Sequence, residues 1–401
     1  MEKKTVVIGV CGGIAAYKAC DIVSKLKKMD LNVHVIMTKS ACEFVAPMTF
    51  QTLSQNFAIT DMFEEPKTWD VEHISLAKKA DAFLIVPATA NVIGKIANGI
   101  ADDMLTTTVM ATKAPVIIAP AMNTNMYENP IVQDNIKKLK NYGYQFIEPA
   151  SGRLACGDLG KGKLADVDDI VYSVYASLYG KDDLKGMKIT VTAGPTIEDI
   201  DPVRYLTNRS SGKMGYSIAK RAVLRGADVT LISGPTRLEI PRGIHKFVQT
   251  SSAESLYNAV NDNFEDCDAL IQSAAIADYK PKNYSKKKVK KKEGDLSIEL
   301  SRTKDVAKEM GKIKEDKVLV GFAAETNDLL KNAQRKIETK NLDFIVANDL
   351  TKEGAGFNTD TNIVKIIDIN GNIEDYPMMS KEDVADIILD KVKELIENQE
   401  K

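Results

Sequence analysis

The sequence is poor in the residues from which disulfides and metal sites are built. It holds five cysteines, three histidines and one tryptophan in 401 residues. The cysteines are an odd set without a Cys-x-x-Cys spacing, at positions 11, 20, 42, 156 and 267. This pattern disfavours a disulfide framework and a zinc site, and it is typical of a reducing cytosol.

Strong net charge and long apolar runs are also missing. With 54 basic and 56 acidic residues the formal net charge is -2, so bulk electrostatics favour neither nucleic acid nor a membrane surface. No run approaches the roughly 20 apolar residues that a bilayer span needs. The opening MEKKTVVIGV passes directly into an apolar strand without a signal-peptide core. We therefore expect a cytoplasmic protein that binds neither nucleic acid nor a membrane.

Two segments each begin a strand, turn, helix and strand pattern. In the first, Thr5–Val10 is β-branched or apolar almost throughout, two glycines follow, and residues 14–28 have a helical pattern. The second, MKITVTAGPT, begins at residue 187 after a charged, turn-prone stretch. The pattern predicts an α/β protein with two doubly wound, Rossmann-like parallel-sheet domains. We place the boundary near residue 184, which gives domains 1–184 and 185–401.

Polar loops follow two further strands of the first half. The buried strands DAFLIVPA (81–88) and APVIIAPAM (114–122) each lead into a loop that contains asparagine. In open parallel sheets such loops form the ligand crevice. Asn123, directly after the second strand, can hydrogen-bond a ligand or simply form an Asx turn.

The stretch between these strands predicts a helix that begins near Ala90. Asn91 and Lys95 lie four residues apart and would share one face of it. Asp102 and Asp103 follow a glycine break and could cap the next segment. The alternative to a ligand site is an ordinary helix followed by a capped turn.

Two residues of the first half have unusual settings. Cys156 lies in SGRLACGDLGKG, a loop with four glycines, although an inert cysteine prefers an apolar core. His73 lies where a helix is predicted to begin, and a lone histidine there is more often a cap or a structural residue than a base. The turn with Gly12 and Gly13 is a phosphate-loop candidate, although it lacks the Gly-x-Gly-x-x-Gly pattern and could be a tight turn only.

Two segments of the second half are candidates for anion binding. Residues 192–215, TAGPTIEDIDPVRYLTNRSSGKMG, are long, polar and turn-rich, and end in a sequence suited to holding phosphate or carboxylate at a helix start. The basic run KPKNYSKKKVKKKEG occupies residues 280–294. It is either a solvated surface, a weak nucleic-acid patch, or a source of cations for triphosphate oxygens.

The motifs of both halves, taken in order, resemble the bifunctional phosphopantothenoylcysteine decarboxylase/phosphopantothenate–cysteine ligases of coenzyme A biosynthesis. The first half has GGIAAYK, HISLAKKAD at residues 73–81, PATAN, ADDM, PAMN and LACGDLGKG. The second half has TAGPT, DPVRYLTNRSSGKMG, AAIADY, KVKK, GFAAET and AND. The resemblance covers nearly the whole chain.

For the first half, the resemblance implies a flavodoxin-like FMN decarboxylase that converts 4′-phosphopantothenoylcysteine to 4′-phosphopantetheine. Prior oxidation of the cysteinyl CH₂–SH by the flavin gives the electrons of the departing carboxylate a sink. By the same analogy Cys156 is the proton donor on a flap, His73 the base, and Asn123 the residue that holds the substrate carboxylate. The flap hinges would be the glycines at 152, 157, 160 and 162. The residues expected to contact the cofactor are Gly12, Gly13, Thr38, Ser40, Asn91 and Lys95.

For the second half, the resemblance implies a ligase that joins 4′-phosphopantothenate to L-cysteine through an acyl-nucleotide. The nucleotide is typically CTP in microbial fused forms, with Mg²⁺ on its phosphates. Asn208 would contact the acyl intermediate, and Lys288 would stabilise charge at the transferring phosphate. The nucleotide contacts implied are Gln272, Ser273, Ala274, Asp278, Lys288, Lys304, Asp305, Val306, Ala307, Phe322, Lys336 and Lys340.

The resemblance further implies a homo-oligomer built on decarboxylase trimers and ligase dimers, which together could form a dodecamer. The sequence leaves open CTP against ATP, the metal ligands, and which lysine of residues 286–292 acts. Three alternatives are a decarboxylase of peptidyl C-terminal cysteine, a flavin prenyltransferase and a nucleic-acid-binding module. The ligase half argues against the first, Cys156 has no role in the second, and the near-neutral charge disfavours the third.

Overall fold

The structure is a computed structural model and describes residues 3–63, 71–153, 157, 159–290, 296–325, 329–349 and 359–399. The chain divides into two compact units, the first ending at Gly180 and the second beginning at Lys181. The sequence predicts this boundary near residue 184, give or take several residues, and the observed division lies within that margin. Leu184 is fully buried in the core of the second unit, so the residues just before 185 belong to that unit.

The first unit alternates strands and helices. Its strands are β1 (Thr5–Val10), β2 (Asn32–Met37), β3 (Ala58–Ile59), β4 (Ala82–Ala88), β5 (Val116–Pro120), β6 (Gln145–Phe146), β7 (Ala150–Arg153) and β8 (Leu159–Lys163). Its helices are α1 (Lys18–Lys28), α2 (Lys39–Cys42), α3 (Pro47–Ser54), α4 (Glu72–Lys79), α5 (Ala90–Ala97), α6 (Met104–Ala111), α7 (Thr124–Tyr127), α8 (Pro130–Asn141) and α9 (Val167–Tyr179). A 3₁₀ turn, Ile14–Tyr17, precedes α1.

The central sheet of this unit is parallel, with strand order β3-β2-β1-β4-β5-β6. All six residues of β1 are buried, as expected for a strand covered on both faces. The doubly wound parallel sheet is therefore confirmed. If the two-residue edge strand β3 is set aside, the remaining five strands have the flavodoxin-like order 2-1-3-4-5, as the resemblance implies. The order reverses between β1 and β4, which places a crevice at their carboxyl ends.

The second unit contains the remaining elements. Its strands are β9 (Lys188–Ala193), β10 (Ile197–Asp199), β11 (Tyr205–Thr207), β12 (Asp228–Ser233), β13 (Lys246–Gln249), β14 (Ala269–Gln272), β15 (Tyr279–Pro281), β16 (Leu300–Arg302), β17 (Val318–Glu325), β18 (Phe344–Asp349), β19 (Thr361–Asp368) and β20 (Ile373–Ser380). Its helices are α10 (Lys213–Leu224), α11 (Ala253–Phe264), α12 (Val306–Lys312), α13 (Leu329–Lys340) and α14 (Lys381–Gln399).

The main sheet of the second unit has the order β13-β12-β9-β14-β17-β18-β19-β20. Its first six strands are parallel and repeat the winding of the first unit, whereas β19 and β20 are antiparallel additions at one edge. Ser380 caps α14, as its sequence position predicts, because its hydroxyl accepts a hydrogen bond from the Asp383 N–H (3.1 Å). No helix in the described ranges is both long enough and apolar enough to cross a lipid bilayer.

A buried arginine anchors the last helix of the second unit. The side chain of Arg225, at the end of α10, is fully buried. Its Nη2 lies 2.8 Å from the carboxylate of Asp183 and 2.6 Å from that of Asp390 in α14. Beside it, Arg221 pairs with Asp386 at 2.7 Å. Burial alone would lower the pKa of Arg225, but the surrounding aspartates raise it, so the guanidinium stays charged.

Replacing Arg225 by alanine should destabilise the second unit by about 2–3 kcal/mol. The change leaves a cavity and unpaired aspartates, but these carboxylates are partly exposed, so the loss falls below the ~3–5 kcal/mol typical of a fully buried pair. Hydrogen exchange of the α10 and α14 amides in the full chain measures the opening free energy. The exposed Arg237 provides the matched control, for which we expect a change within about 0.5 kcal/mol. Equal effects of the two alanine variants would contradict the anchoring role.

Candidate functional sites

The turns after β1 and β2 lie against each other at one edge of the first sheet. A Cβ on Gly12 would lie 2.4 Å from the Cβ of Ser40, which no side chain tolerates. The Thr38 N–H donates to the Val10 carbonyl (3.0 Å), and its hydroxyl accepts from the Ala41 N–H (3.2 Å). The structure therefore brings Gly12, Thr38 and Ser40 together.

Gly13 faces open space at the same edge. A Cβ placed there would meet nothing within 4 Å in the described structure. Its backbone is extended (φ −178°, ψ 159°), a conformation available to any residue. Glycine is therefore not required for folding at this position, and its missing side chain leaves room for a ligand.

The loop after β4 begins the predicted helix. Thr89 caps α5, because its hydroxyl accepts from the Val92 N–H (3.4 Å), and Asn91 is exposed in the first turn. Thr89 and Asn91 lie next to the turn after β1, because β1 and β4 are neighbours in the sheet. Asn91 is thus placed at the crevice edge with the other residues predicted to contact the flavin.

Lys95 forms ion pairs with the loop that follows α5. Its Nζ lies 2.7 Å from Asp102 and 3.3 Å from Asp103, and the hydrogen bond with Asp102 is the main cause of its raised pKa. Asp103 also caps α6, accepting from the Thr106 N–H (2.8 Å), so the predicted cap is confirmed. The charge of Lys95 is therefore already compensated within the protein, which the sequence did not indicate.

Asn123 follows β5 and forms the predicted Asx turn. Its Oδ1 accepts from the Asn125 N–H (2.9 Å) at the start of α7. The β7–β8 hairpin packs on this loop, because the Met122 N–H donates to the Gly162 carbonyl (3.0 Å). Asn123 thus lies between the sheet edge and the hairpin that contains the segment around Cys156. Cys156 itself falls outside the described residues.

Two glycines of this hairpin serve close packing. A Cβ on Gly162 would lie 2.4 Å from the Met122 carbonyl oxygen, and one on Gly160 would lie 2.6 Å from the Thr124 side chain. The hairpin backbone therefore lies directly on the loop after β5, and the role of these glycines as flap hinges stays a prediction. Gly152 and Gly157 have positive φ angles of 152° and 93° without such a contact.

A carboxylate ties the hairpin to the end of β6. Glu148 lies 2.8 Å from the Lys161 ammonium and 3.0 Å from that of Lys140. These hydrogen bonds lower the pKa of Glu148 to about 2, and the bond from Lys161 has the largest effect. Lys161 also lies over the ring of Tyr127, 5.6 Å from its centroid. The hairpin is therefore held at its base through electrostatic contacts as well as packing.

His73 is the second residue of α4, as its sequence position predicts, and is half-buried. In the part of the chain that the structure describes, no hydrogen bond joins His73 to Asn123 or to the turns after β1 and β2. The role assigned to His73 stays a prediction.

The polar edge of the first sheet fits a flavin phosphate. It offers neutral donors, namely backbone N–H groups, hydroxyls and amides. The space next to Gly13 is open. These groups are suitable donors for an anion next to the carboxyl ends of parallel strands. Gly12, Gly13, Thr38, Ser40 and Asn91 are the residues that would hold FMN there.

The second unit has a cleft of about 850 Å³ at the carboxyl ends of its parallel strands, a size typical of ligand pockets. Asn208 and nearly all the residues predicted to contact the nucleotide line it. They are Gln272, Ser273, Ala274, Asp278, Lys304, Asp305, Val306, Ala307, Phe322, Lys336 and Lys340. Lys288, by contrast, is exposed and does not line the cleft.

Basic side chains dominate the lining of this cleft. Among the described lining residues the acids are Asp278 and Asp305, whereas the bases are Arg209, Lys213, Arg302, Lys304, Lys308, Lys336, Lys340 and Lys381. Lys340 pairs with Asp305 at 2.9 Å. The excess of positive charge suits a polyanionic ligand such as a nucleoside triphosphate.

Two amides shape the cleft floor. The Nδ2 of Asn208 donates to the Ile276 carbonyl (2.9 Å), which fixes the end of β11 against the loop after β14. Gln272 is 8% exposed, and its Nε2 has no hydrogen-bond partner among the described residues. Since buried donors are rarely left unpaired, Gln272 is placed to donate to a ligand.

Lys381 was missed by sequence reasoning. It lines the cleft, is 5% exposed, and donates to the Thr361 carbonyl and the Asn362 side chain, both at 3.1 Å. Burial lowers the pKa of Lys381 to about 8, although its carbonyl acceptors favour the charged form. No sequence signal could have found it, because the first residue of a charged helix reads as solvent-exposed.

The Mg²⁺ expected with a nucleotide stays a prediction. No group of three or more His, Cys, Asp or Glu side chains suited to a metal occurs among the described residues. Mg²⁺ usually keeps several waters and uses one or two carboxylates together with substrate phosphates. Asp278 and Asp305 could supply those carboxylates.

Comparisons with known proteins cover both units. Residues 1–179 match the family described as Flavoprotein, and residues 184–396 match the DNA/pantothenate metabolism flavoprotein C-terminal domain. The chain is 49% identical over 397 residues to the coenzyme A biosynthesis bifunctional protein CoaBC of Bacillus subtilis, with 98% of each chain covered. The protein of the same name from Borreliella burgdorferi is 43% identical over 392 residues, which cover 97% of this chain and 98% of that one. A crystal structure of a CoaBC C-terminal domain is 40% identical, with a TM-score of 0.47 over 54% of this chain and 100% of the other.

Proposed function

Because this chain belongs to the family of coenzyme A biosynthesis bifunctional proteins, we propose that it catalyses two consecutive reactions of that pathway. The second unit ligates 4′-phosphopantothenate with L-cysteine, and the first unit decarboxylates the product to 4′-phosphopantetheine. The family that the motifs predicted is confirmed. The observation that best supports the ligase assignment is the convergence of the predicted nucleotide contacts in one basic cleft.

Ligation requires activation of a carboxylate, which is a poor acyl donor. In the proposed first step a carboxylate oxygen of 4′-phosphopantothenate attacks the α-phosphorus of CTP, and pyrophosphate leaves. The amine of cysteine then attacks the acyl carbon, and CMP leaves with the electron pair. The lysines of the cleft stabilise the phosphate charge, and Gln272 donates to the nucleotide. Asn208 contacts the acyl group from its position on the Ile276 carbonyl.

Decarboxylation takes place at the edge of the first sheet in this proposal. FMN, when bound, supplies the electron sink that the departing carboxylate needs. Asn123 holds the substrate carboxylate, His73 acts as the base, and Cys156 delivers the final proton to carbon. Support comes from the hairpin, which rests on the loop that carries Asn123. Assembly into decarboxylase trimers and ligase dimers is part of the same proposal.

Product analysis with the full chain tests the two activities. We expect incubation with 4′-phosphopantothenate, cysteine, Mg²⁺ and CTP to give 4′-phosphopantetheine, CMP and pyrophosphate by mass spectrometry. ATP in place of CTP should give much less product. Supplied 4′-phosphopantothenoylcysteine should be decarboxylated without a nucleotide. Nucleotide hydrolysis without amide formation would contradict the ligase assignment, and equal rates with ATP would contradict the preference for CTP.

Flavin binding provides a second test, on the first unit. Purified protein should be yellow and should release FMN on denaturation. Gly13→Val should lose most of its flavin while it keeps the circular dichroism of the parent, because a Cβ at this position meets nothing within 4 Å in the described structure and the new side chain extends into the proposed ligand space. Gly94→Ala, inside α5, is the matched control and should retain FMN. Full retention by Gly13→Val would place the flavin elsewhere.

A further inference from the structure

One buried cation of the cleft in the second unit lies outside every motif that carries the family resemblance. Lys381, the first residue of α14, lines the cleft and is 5% exposed. Its ammonium donates to the carbonyls of Thr359 (2.5 Å) and Thr361 (3.1 Å) and to Oδ1 of Asn362 (3.1 Å). These bonds use the three N–H groups of the ammonium. All three acceptors are neutral, so they satisfy the lysine as a donor without cancelling its charge.

The charge of Lys381 has no counter-ion in the part of the chain that the structure describes. The charged groups that act on it are Lys213 and Asp360, which pair with each other at 2.7 Å. Burial, followed by repulsion from Lys213, lowers the pKa of Lys381 to about 8, so the ammonium is still mainly charged at neutral pH. A buried cation without a counter-charge costs free energy. An anionic ligand in the cleft would supply that counter-charge.

Lys381 also fixes the amide of Asn362, which lines the cleft and is 5% exposed. An ammonium can only donate, so the amide must turn its oxygen towards Lys381 and its NH₂ group away from it. The Nδ2 of Asn362 then lies 3.4 Å from the sulfur of Met214. A thioether is a weak acceptor, which an oxygen of a ligand can replace. Asn362 therefore offers a hydrogen-bond donor close to the buried cation.

Three elements that are distant in the sequence build this corner of the cleft. Lys381 begins α14, Asn362 lies in β19, and Met214 is the second residue of α10. The ion pair between Arg221 and Asp386 (2.7 Å) holds α10 against α14. The cation and the amide are thus placed by packed elements before a ligand arrives, which reduces the entropy lost on binding.

We propose that Lys381 and Asn362 form a phosphate subsite of the cleft, in which the charge of Lys381 attracts a phosphate group and Asn362 donates to one of its oxygens. The inference rests on the proposed ligase function and extends it, because it assigns a binding role to two residues outside the motifs. A phosphate suits the site because it brings the missing negative charge together with strong acceptor oxygens. Both CTP and 4′-phosphopantothenate carry this chemistry, and the experiment distinguishes them.

The test measures ligation by the full chain with Lys381→Met, which removes the charge at a similar side-chain length. If the subsite holds the nucleotide, the KM for CTP should rise by about 10- to 100-fold, the usual effect of losing a charged partner. Inhibition by uncharged cytidine should stay at the parental strength. If the subsite holds 4′-phosphopantothenate, the KM for that substrate should rise instead, while inhibition by pantothenate stays unchanged. Either selective loss supports the proposal.

Lys314→Met is the matched control. Lys314 is a buried lysine of the same unit, 8% exposed, but it pairs with Asp343 at 2.6 Å and does not line the cleft. Both KM values of this variant should match those of the parent.

The subsite is disproved if Lys381→Met keeps both parental KM values, or if it weakens cytidine and pantothenate as much as the phosphorylated ligands. An equal rise of KM in Lys314→Met would also overturn it. Should hydrogen exchange of α14 show that Lys381→Met does not fold, Asn362→Leu replaces it with the same expected selectivity. Absence of ligation by the parent protein would instead defeat the proposed function.

Discussion

Replacing Asn208 by aspartate is expected to lower the rate of ligation by at least about a hundredfold while decarboxylation proceeds at the parental rate. Removal of one well-placed donor in an active site typically costs about 10²–10³ in kcat. In this cleft the loss has two parts. The carboxylate cannot donate to the Ile276 carbonyl, now 2.9 Å from Nδ2, and it adds negative charge where a triphosphate and an acyl phosphate must lie.

Two assays on the same preparation measure this prediction. Ligation is followed by pyrophosphate release with 4′-phosphopantothenate, cysteine and CTP, and decarboxylation by the product formed from supplied 4′-phosphopantothenoylcysteine. Asn263→Asp is the matched control, because this asparagine bonds the Ala259 carbonyl inside α11 (2.7 Å) and does not line the cleft. Equal damage to both activities in a folded protein would show that the two sites are not separate.

Replacing Cys156 by serine is expected to permit loss of CO₂ but to prevent formation of 4′-phosphopantetheine. An alcohol is a far weaker acid than a thiol, whose pKa is about 8.5, so serine cannot deliver the final proton at a useful rate. The β7–β8 hairpin, whose strands flank the segment with Cys156 in the sequence, is bound to the loop after β5 that carries Asn123. The described part of this hairpin is held by two contacts. The Met122 N–H donates to the Gly162 carbonyl, and Glu148 pairs with Lys161.

Mass spectrometry of the Cys156→Ser reaction distinguishes the outcomes. The expected product lacks two hydrogens relative to 4′-phosphopantetheine, and CO₂ is released. Cys20→Ser is the matched control, since this partly exposed thiol in α1 has no part in the proposed mechanism. Complete product at the parental rate from Cys156→Ser would remove the assignment of the proton donor.

Local features of the fold were readable because their causes are local. The strand Thr5–Val10 has the bounds that its apolar run predicts, and Asp103 and Ser380 cap helices where the following helical period begins. Hydrophobic period and capping chemistry act over a few residues. The cleft residues of the second unit were found through the motifs that carry the family resemblance.

Other features could not be found in this way, because residues distant in the sequence cause them. From the sequence, Lys95 is expected to be an uncompensated cation, whereas in the structure it is paired with Asp102 and Asp103. From the sequence, Lys381 is expected to be an exposed helix residue, whereas in the structure it is buried against β19 and donates to the Thr361 carbonyl. The β19–β20 pair was missed because antiparallel addition to a parallel edge depends on which edge is open. In each case the burial or the charge compensation of a residue depends on a segment that is distant in the sequence. Only folding brings that segment into contact with the residue.

The amino-acid order alone therefore established the α/β class, the family and the positions at which polar loops follow buried strands, since all of these are written in short-range patterns. It could not establish that Asp201 and Arg204, 85 or more residues before Val289, bind that residue, or that Arg225 meets Asp390 across two helices. Those contacts exist because the sheet draws remote segments together. A carboxylate or guanidinium removed from water is stable only where folding supplies its counter-charge.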